Sequence, residues 1–449
     1  MNKPLKTTIN KLAPAVLISL IATALGLLSL YRSKVPMIQD FGLMLTIGIA
    51  IAFLLALFVL LPVLVIRTKV NDKDIKNVKK ETSKYIVVMK KITKGVLKFK
   101  YVIIIIAISL AAVGFFFDQL VEVETDMETF MPQDSEALAD INELRSIIGS
   151  TDRVVLMYEA TDIANFTILS EVQEVTEMVE NDYADDVMIV GSVSSVLDMA
   201  SSNNWDETNY QTYLDLLPSE QLALVQSTEE NLGIINISLV DMDDESFGQF
   251  ITNLENSLSD LDLSFEITIT GQSVVDQEML NSMTSDRLII TLISIALVFV
   301  VLLIIYRNFF KAIIAILPII LIVGWSGGIM YALGYSYTPL TSTIGALIVG
   351  IGTEFTILIL MRYYELKKQS KNDEEAIINA VGLMSKPIIV SAITTIGGFS
   401  ALVFSDFQIL SNFGIMTLIN ISLALLSSIF VLPALLGVFG KKTKAITSV

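Results

Sequence analysis

The residue in this sequence best suited to chemistry is Glu354, an acidic side chain inside a long apolar stretch. It follows Gly350 and Gly352, and the next charged residue, Arg362, lies eight positions later, about 12 Å along a helix. A carboxylate at that depth in a bilayer is costly unless it is protonated, paired or hydrated. Glu354 could therefore load and release a proton, and two conformations of the protein could favour its two protonation states.

Hydroxyl and glycine residues accompany this glutamate. The next apolar segment contains Ser391, Thr394 and Thr395, whose hydroxyls could hydrogen-bond the carboxylate or hold water beside it. The alternative is that Glu354 is a satisfied polar anchor between helices and that each hydroxyl bonds to its own helix. Small residues let helices approach closely, and four glycines could do so here: Gly350, Gly352, Gly397 and Gly398.

The composition excludes several kinds of site. The sequence contains no cysteine and no histidine, so thiolate and imidazole metal ligands, disulfides and nucleophile pairs that use either residue are absent. Neither a nucleophile–base pair nor a cluster of metal ligands is visible in the sequence. We therefore expect no enzyme, no metal and no bound cofactor.

Hydropathy indicates a membrane protein. Of the 449 residues 53% are hydrophobic, which is too many for an ordinary soluble domain of this length. A bilayer core about 30 Å thick requires roughly 17–25 apolar residues per helix. Eight segments qualify: 14–31, 41–66, 101–117, 288–306, 312–333, 340–361, 388–404 and 413–438. The predicted fold class is an α-helical polytopic membrane protein with about eight spans.

The charges are segregated along the chain. Segment 67–100 has twelve Lys or Arg against three Asp or Glu, whereas segment 118–282 has thirty-six Asp or Glu against two Arg. Since basic loops remain cytoplasmic, we expect a cell-membrane protein with both termini inside and 118–282 outside. The acidity either keeps this domain soluble or attracts cations and cationic amphiphiles. It does not indicate a nucleic-acid partner.

Two rounds of strand, helix and strand are predicted within the acidic segment. Strand-like runs at 153–157 and 187–190 flank a helical run at 168–179, and runs at 233–240 and 264–270 flank another at 245–258. This order predicts a compact α+β domain, with 205–226 inserted as additional helices.

An internal repeat relates the first spans to the last ones. At an offset of 372 positions Ser19 matches Ser391, Thr23 matches Thr395, Gly26 matches Gly398 and Phe41 matches Phe413. From this repeat we expect the chain to correspond to the back portion of a two-repeat protein. The predicted parts are two last spans of a first repeat (1–66), a basic linker (67–100), a span (101–117), the acidic domain (118–282), a five-helix bundle (283–438) and a tail (439–449).

These features resemble the MMPL branch of the resistance-nodulation-division (RND) superfamily. The segment from Gly350 to Phe355 is similar to its Gly-x-Gly-x-Asp-Tyr motif, and 391–400 is similar to its sterol-sensing-domain region. The resemblance implies a ferredoxin-like, porter-type external domain and export of lipids or other amphiphiles. The proton gradient would supply the energy through Glu354, with Thr394 or Thr395 as a relay neighbour. Phe355 stands where the family often has Tyr, which removes a hydroxyl.

The sequence leaves other functions open. The chain could be a lipid-binding membrane receptor in which Glu354 is a packing element, an inactive fragment, or a SecDF-like translocation accessory. The expected partners are membrane lipids or amphiphilic small molecules, a separate chain that supplies the rest of the first repeat, and an oligomer by analogy with the family.

Overall fold

A computed structural model describes residues 16–60, 62–63, 74–124, 127–148, 152–227, 231–370 and 372–440. The chain divides into two compact units, residues 1–130 with 282–449 (the helical unit) and residues 131–281 (the α/β unit). The predicted tail from residue 441 onward, the start of the first predicted span and part of the predicted basic linker lie outside the described residues.

Helices dominate the described chain. They are α1 (Val16–Arg32), α2 (Pro36–Leu55), α3 (Asp74–Lys98), α4 (Lys100–Asp118), α5 (Glu136–Ile148), α6 (Phe166–Asp182), α7 (Val193–Ser201), α8 (Tyr210–Leu216), α9 (Ser219–Leu222), α10 (Asp244–Ser259), α11 (Gln272–Tyr306), α12 (Phe309–Ala332), α13 (Ile344–Lys367), α14 (Asp373–Val403), α15 (Gln408–Leu426) and α16 (Leu432–Phe439). The strands are β1 (Arg153–Glu159), β2 (Val187–Gly191), β3 (Gln226–Ser227), β4 (Leu232–Leu239) and β5 (Glu266–Thr270).

Seven stretches of described helix are long and apolar enough to cross a membrane. They are Pro36–Val59, Lys100–Asp118, Arg287–Tyr306, Phe309–Ala332, Thr341–Lys367, Asp373–Val403 and Gln408–Phe439. The described part of α1 is apolar but shorter. The predicted class, a polytopic helical membrane protein, is confirmed.

The α/β unit has the predicted order of strands and helices. Its sheet runs β2-β4-β1-β5 with antiparallel neighbours, and β3 pairs with β4. This is the strand order of a ferredoxin-like βαββαβ fold with α6 and α10 as the crossovers. In β1 every second side chain, Val154, Leu156 and Tyr158, is buried, so one face of the sheet carries the core.

Side-chain caps begin the two crossover helices. The Asn165 side chain accepts a hydrogen bond from the Thr167 amide at 2.9 Å, and the Asp243 carboxylate accepts one from the Ser246 amide at 2.8 Å. The Ser246 hydrogen bonds lower the pKa of Asp243. Such caps satisfy amides that the first turn of a helix leaves unpaired.

A short loop connects α12 to α13, the helix that carries Glu354. Gly334 ends α12 with a φ of +68°, and the Tyr335 amide bonds back to the Met330 carbonyl, as in a Schellman motif. Thr338 and Thr341 then exchange amide-to-hydroxyl hydrogen bonds of 2.7 and 3.1 Å in the manner of a capping box. These local signals set where the next span begins.

Candidate functional site

The two motif glycines lie at helix contacts in the helical unit. A Cβ placed on Gly350 would lie 3.1 Å from Thr23 Cγ2 of α1, and one on Gly352 would lie 3.4 Å from Ile319 of α12. Thr23 also donates a hydrogen bond of 2.9 Å from its hydroxyl to the Gly350 carbonyl. The turn of α13 before Glu354 is therefore held between α1 and α12.

Glu354 is half-buried one turn after Gly350 on the same side of α13. Its neighbours Thr353 and Phe355 are each 1% exposed. Among the residues that the structure describes, none donates a hydrogen bond to the Glu354 carboxylate and none forms an ion pair with it. The carboxylate has therefore kept its capacity to bind a proton or water.

Two of the three predicted hydroxyl neighbours, Thr394 and Thr395, bond elsewhere. Thr394 donates to the Val390 carbonyl at 2.8 Å and Thr395 to the Ser391 carbonyl at 3.0 Å, so each bonds within its own helix. A Cβ on Gly397 or Gly398 would meet nothing within 4 Å. The structure thus does not bring these two glycines into a helix contact in the described chain, because this face of α14 has no helix against it.

The Thr23 hydroxyl reaches the motif helix by its hydrogen bond to the Gly350 carbonyl, and Thr23 was not among the predicted site residues. Thr23 is the repeat counterpart of Thr395 at the offset of 372 positions. The signal was therefore available, because the repeat marks two equivalent threonines. Only the packing of the helices decides which of these two threonines lies against the turn of α13 that contains Gly350 and Gly352.

A second polar group lies on α15 against α13. Asn420 is 5% exposed and Thr417 1% exposed, and their side-chain atoms have no hydrogen-bond partner among the described residues. They line a void of about 10 Å³ together with Ile351, which is one turn before Glu354. That volume is close to the smallest that holds one water molecule.

A buried ion pair joins α4, α11 and the loop before α13. Arg287 Nη1 lies 2.9 Å from both carboxylate oxygens of Asp118, and the Tyr337 hydroxyl donates to the same carboxylate. Burial raises the pKa of Tyr337, so its phenol stays protonated and remains a donor. This ion pair had only a weak signal in the sequence, because charged residues at the ends of membrane spans are ordinarily solvated.

An apolar groove of about 610 Å³ runs beside α4 and α12 in the helical unit. Trp325 lines it, and its indole N–H donates to the Ala107 carbonyl of α4 at 3.0 Å. Phe117 and Tyr331 stack at 4.8 Å in its wall. A groove of this size and lining can accommodate hydrocarbon chains.

In the described part of the chain no cluster of acidic residues could hold a metal ion.

The wider classification follows from the family comparison, because the MMPL family profile matches residues 2–112 and 129–448. The chain belongs to the MMPL family. The match spans both units, and it confirms the assignment to the MMPL branch of the RND superfamily.

Named relatives of this MMPL chain are membrane and transport proteins. It is 23% identical over 334 residues to the putative membrane protein MJ1562 of Methanocaldococcus jannaschii, which covers 70% of this chain and 84% of that protein. It is 23% identical over 202 residues to the sulfolipid-1 exporter MmpL8 of Mycobacterium tuberculosis, 44% of this chain and 18% of that protein. A third relative is the putative membrane protein YdgH of Bacillus subtilis. It is 28% identical over 184 residues, which cover 39% of this chain and 20% of that protein.

Proposed function

We propose that this chain is a membrane transporter, or part of one, that exports lipids or other amphiphilic compounds and is coupled to proton flow through Glu354. The observation that carries the proposal is a carboxylate deep in α13 with no hydrogen bond or ion pair among the described residues. Membership of a family that contains a sulfolipid-1 exporter supports the substrate class.

Protonation of Glu354 would act on the packing of α13. A neutral carboxyl group is tolerated among apolar side chains, whereas the carboxylate requires water or a hydrogen-bond donor. The two forms therefore favour different positions of α13 relative to its neighbours, which is how a proton can change the population of two conformations. The groove beside Trp325 offers the apolar surface that an acyl chain needs.

The proton-coupled role is tested with the full chain in liposomes that contain a fluorescent NBD-labelled phospholipid. We expect an imposed proton gradient to speed movement of the probe between leaflets, measured by dithionite quenching. The variant Glu354→Gln cannot ionise and should abolish the acceleration, whereas Glu354→Asp should retain it. Glu365→Gln, a glutamate nearer the end of the same helix, is the matched control and should behave like the wild type.

Wild-type rates from Glu354→Gln would overturn the proton-coupled proposal. The groove favours one other candidate, a lipid-binding receptor without transport. Quenching of Trp325 by brominated phospholipid, measured in a Trp205→Phe background that leaves one tryptophan, reports occupancy of the groove. Quenching that depends neither on pH nor on Glu354, in a chain without probe movement, would support the receptor.

Location and partners belong to the same proposal. The chain would lie in the cell membrane with both termini inside and the acidic α/β unit outside, as the segregated charges favour. It would act on membrane lipids or amphiphilic small molecules, without a bound cofactor. A separate chain would supply further first-repeat helices, and the assembly could be oligomeric.

A further inference from the structure

Aromatic and basic side chains come together where α11 ends, α12 begins and α13 ends. The Tyr306 ring of α11 and the Tyr364 ring of α13 meet edge to face with centroids 6.0 Å apart. The Lys311 ammonium of α12 lies 4.6 Å from the centroid of the Tyr364 ring. Five basic residues lie at these helix ends and in the connections beside them: Arg307, Lys311, Arg362, Lys367 and Lys368.

Carboxylates neutralise only two of these five charges. Glu365 pairs with Arg362 at 2.5 Å, and Asp373 pairs with Lys367 at 3.3 Å. Within the described part of the chain, no carboxylate forms an ion pair with any of the other three basic residues. These helix ends therefore keep an excess of positive charge, which an anion would offset.

Two buried hydroxyls at the same place lack a hydrogen-bond partner. The Tyr306 and Tyr364 hydroxyls are both inaccessible to solvent, and neither bonds to any residue that the structure describes. A buried polar group without a partner costs free energy. An ammonium can only donate hydrogen bonds, and a phenol donates its proton, so the group that would satisfy Lys311 and both tyrosines is an acceptor.

The surface of α11 that leads to this end is apolar and open. Val300 and Ile304 are exposed one turn apart, and Arg307 continues their spacing just after the helix. Phe309 and Phe310, at the start of α12, are exposed as well. Such side chains contact acyl chains in a bilayer, and the basic residues beyond them then lie at the level of the lipid head groups.

We propose that these ends of α11, α12 and α13 bind one anionic phospholipid of the inner leaflet. Its phosphate would accept a charge-assisted hydrogen bond from Lys311 directly, and would accept from the buried Tyr306 and Tyr364 hydroxyls through water. Arg307 would lie beside the head group, and an acyl chain would follow the apolar surface of α11. In the orientation proposed above, this end faces the cytoplasm, where basic pockets between helices meet anionic head groups.

Calorimetry on the purified full chain in a neutral detergent tests the site. The chain is titrated with dioctanoyl phosphatidylglycerol or with dioctanoyl phosphatidylcholine, which have the same acyl chains and differ in net charge. We expect the anionic lipid to bind about tenfold more tightly, because only it offsets the excess positive charge.

Charge variants locate the binding. Lys311→Gln should weaken binding of phosphatidylglycerol about tenfold, whereas Lys311→Arg keeps the charge and should retain it. Lys94→Gln removes the same charge from an exposed lysine of α3 and is the matched control. It should change the affinity by less than about twofold, because an exposed charge is screened.

A variant without charge change separates a built site from general attraction. The double variant Tyr306→Phe/Tyr364→Phe should weaken binding about threefold and should not lower the thermal midpoint, because both hydroxyls are unpaired in the described chain. Equal affinity for the two lipids, an equal loss in Lys94→Gln, or inorganic phosphate that binds as tightly as phosphatidylglycerol would each overturn the proposal. The measurement uses no proton gradient, so its outcome is separate from the test of Glu354.

Discussion

Glu354 and Asn420 are polar side chains among apolar helices, and both lack a hydrogen bond to any described residue. A buried amide without a partner costs free energy that a leucine at the same place would not. The Asn420 amide lies beside a void of about 10 Å³ that is also lined by Ile351, one turn before Glu354. A water molecule in this void would explain why an amide is present there. We therefore expect Asn420 to serve proton movement at the expense of stability.

The variant Asn420→Leu should be more stable than the wild type by about 1–3 kcal/mol, because it removes an unpaired buried amide. Its thermal midpoint in detergent should rise, and proton-driven lipid movement should fall. Ser422→Ala on the same helix is the control, since the Ser422 hydroxyl donates to the Leu418 carbonyl of its own helix, at 2.8 Å. A lower midpoint for Asn420→Leu would mean that the amide is paired in the native protein.

At the scale of the elements, the ion pair between Asp118 and Arg287 joins the end of α4 to α11. The side chains are 9% and 14% exposed, so the pair is largely buried. Tyr337 connects the loop before α13 to the residues that follow α4. Its amide donates to the Glu122 carbonyl at 2.7 Å, and its carbonyl accepts from the Glu124 amide at 2.8 Å. These hydrogen bonds connect the start of the Glu354 helix to the end of α4. Removal of one charge should therefore weaken both the contact between α4 and α11 and the contact between α4 and the loop before α13.

Asp118→Leu should destabilise the helical unit by about 3–5 kcal/mol, because it leaves the Arg287 guanidinium buried and unpaired. The double variant Asp118→Leu/Arg287→Met should recover most of this loss, since no buried charge remains. Equilibrium unfolding in mixed micelles measures both. Glu365→Gln removes a partner of the half-exposed Arg362–Glu365 pair and should change stability by less than about 1 kcal/mol. A double variant as unstable as the single one would contradict this account.

At the scale of the whole molecule, charge segregation predicts the orientation in the membrane. Glu207 is exposed in the α/β unit and Gln369 is exposed after α13. In intact cells, Glu207→Cys should react with a membrane-impermeant maleimide, and Gln369→Cys should react only after the cells are opened. The native chain without cysteine gives the blank. The reverse pattern would place the acidic unit inside.

The sequence by itself determined the membrane class and the succession of strands and helices along the α/β unit, and it placed Glu354 inside a long apolar stretch, because these features depend on periodicity and runs of apolar residues along the chain. The repeat also marked Thr23 and Thr395 as equivalent. Only the tertiary structure decided that Thr23 packs against the turn of α13 at Gly350, and that the Thr395 face of α14 meets no helix among the described residues. It likewise joined Asp118 to Arg287, which are 169 positions apart. The physical reason is that an apolar helix in lipid can turn almost any face toward a neighbour, so long-range packing selects the face that is used.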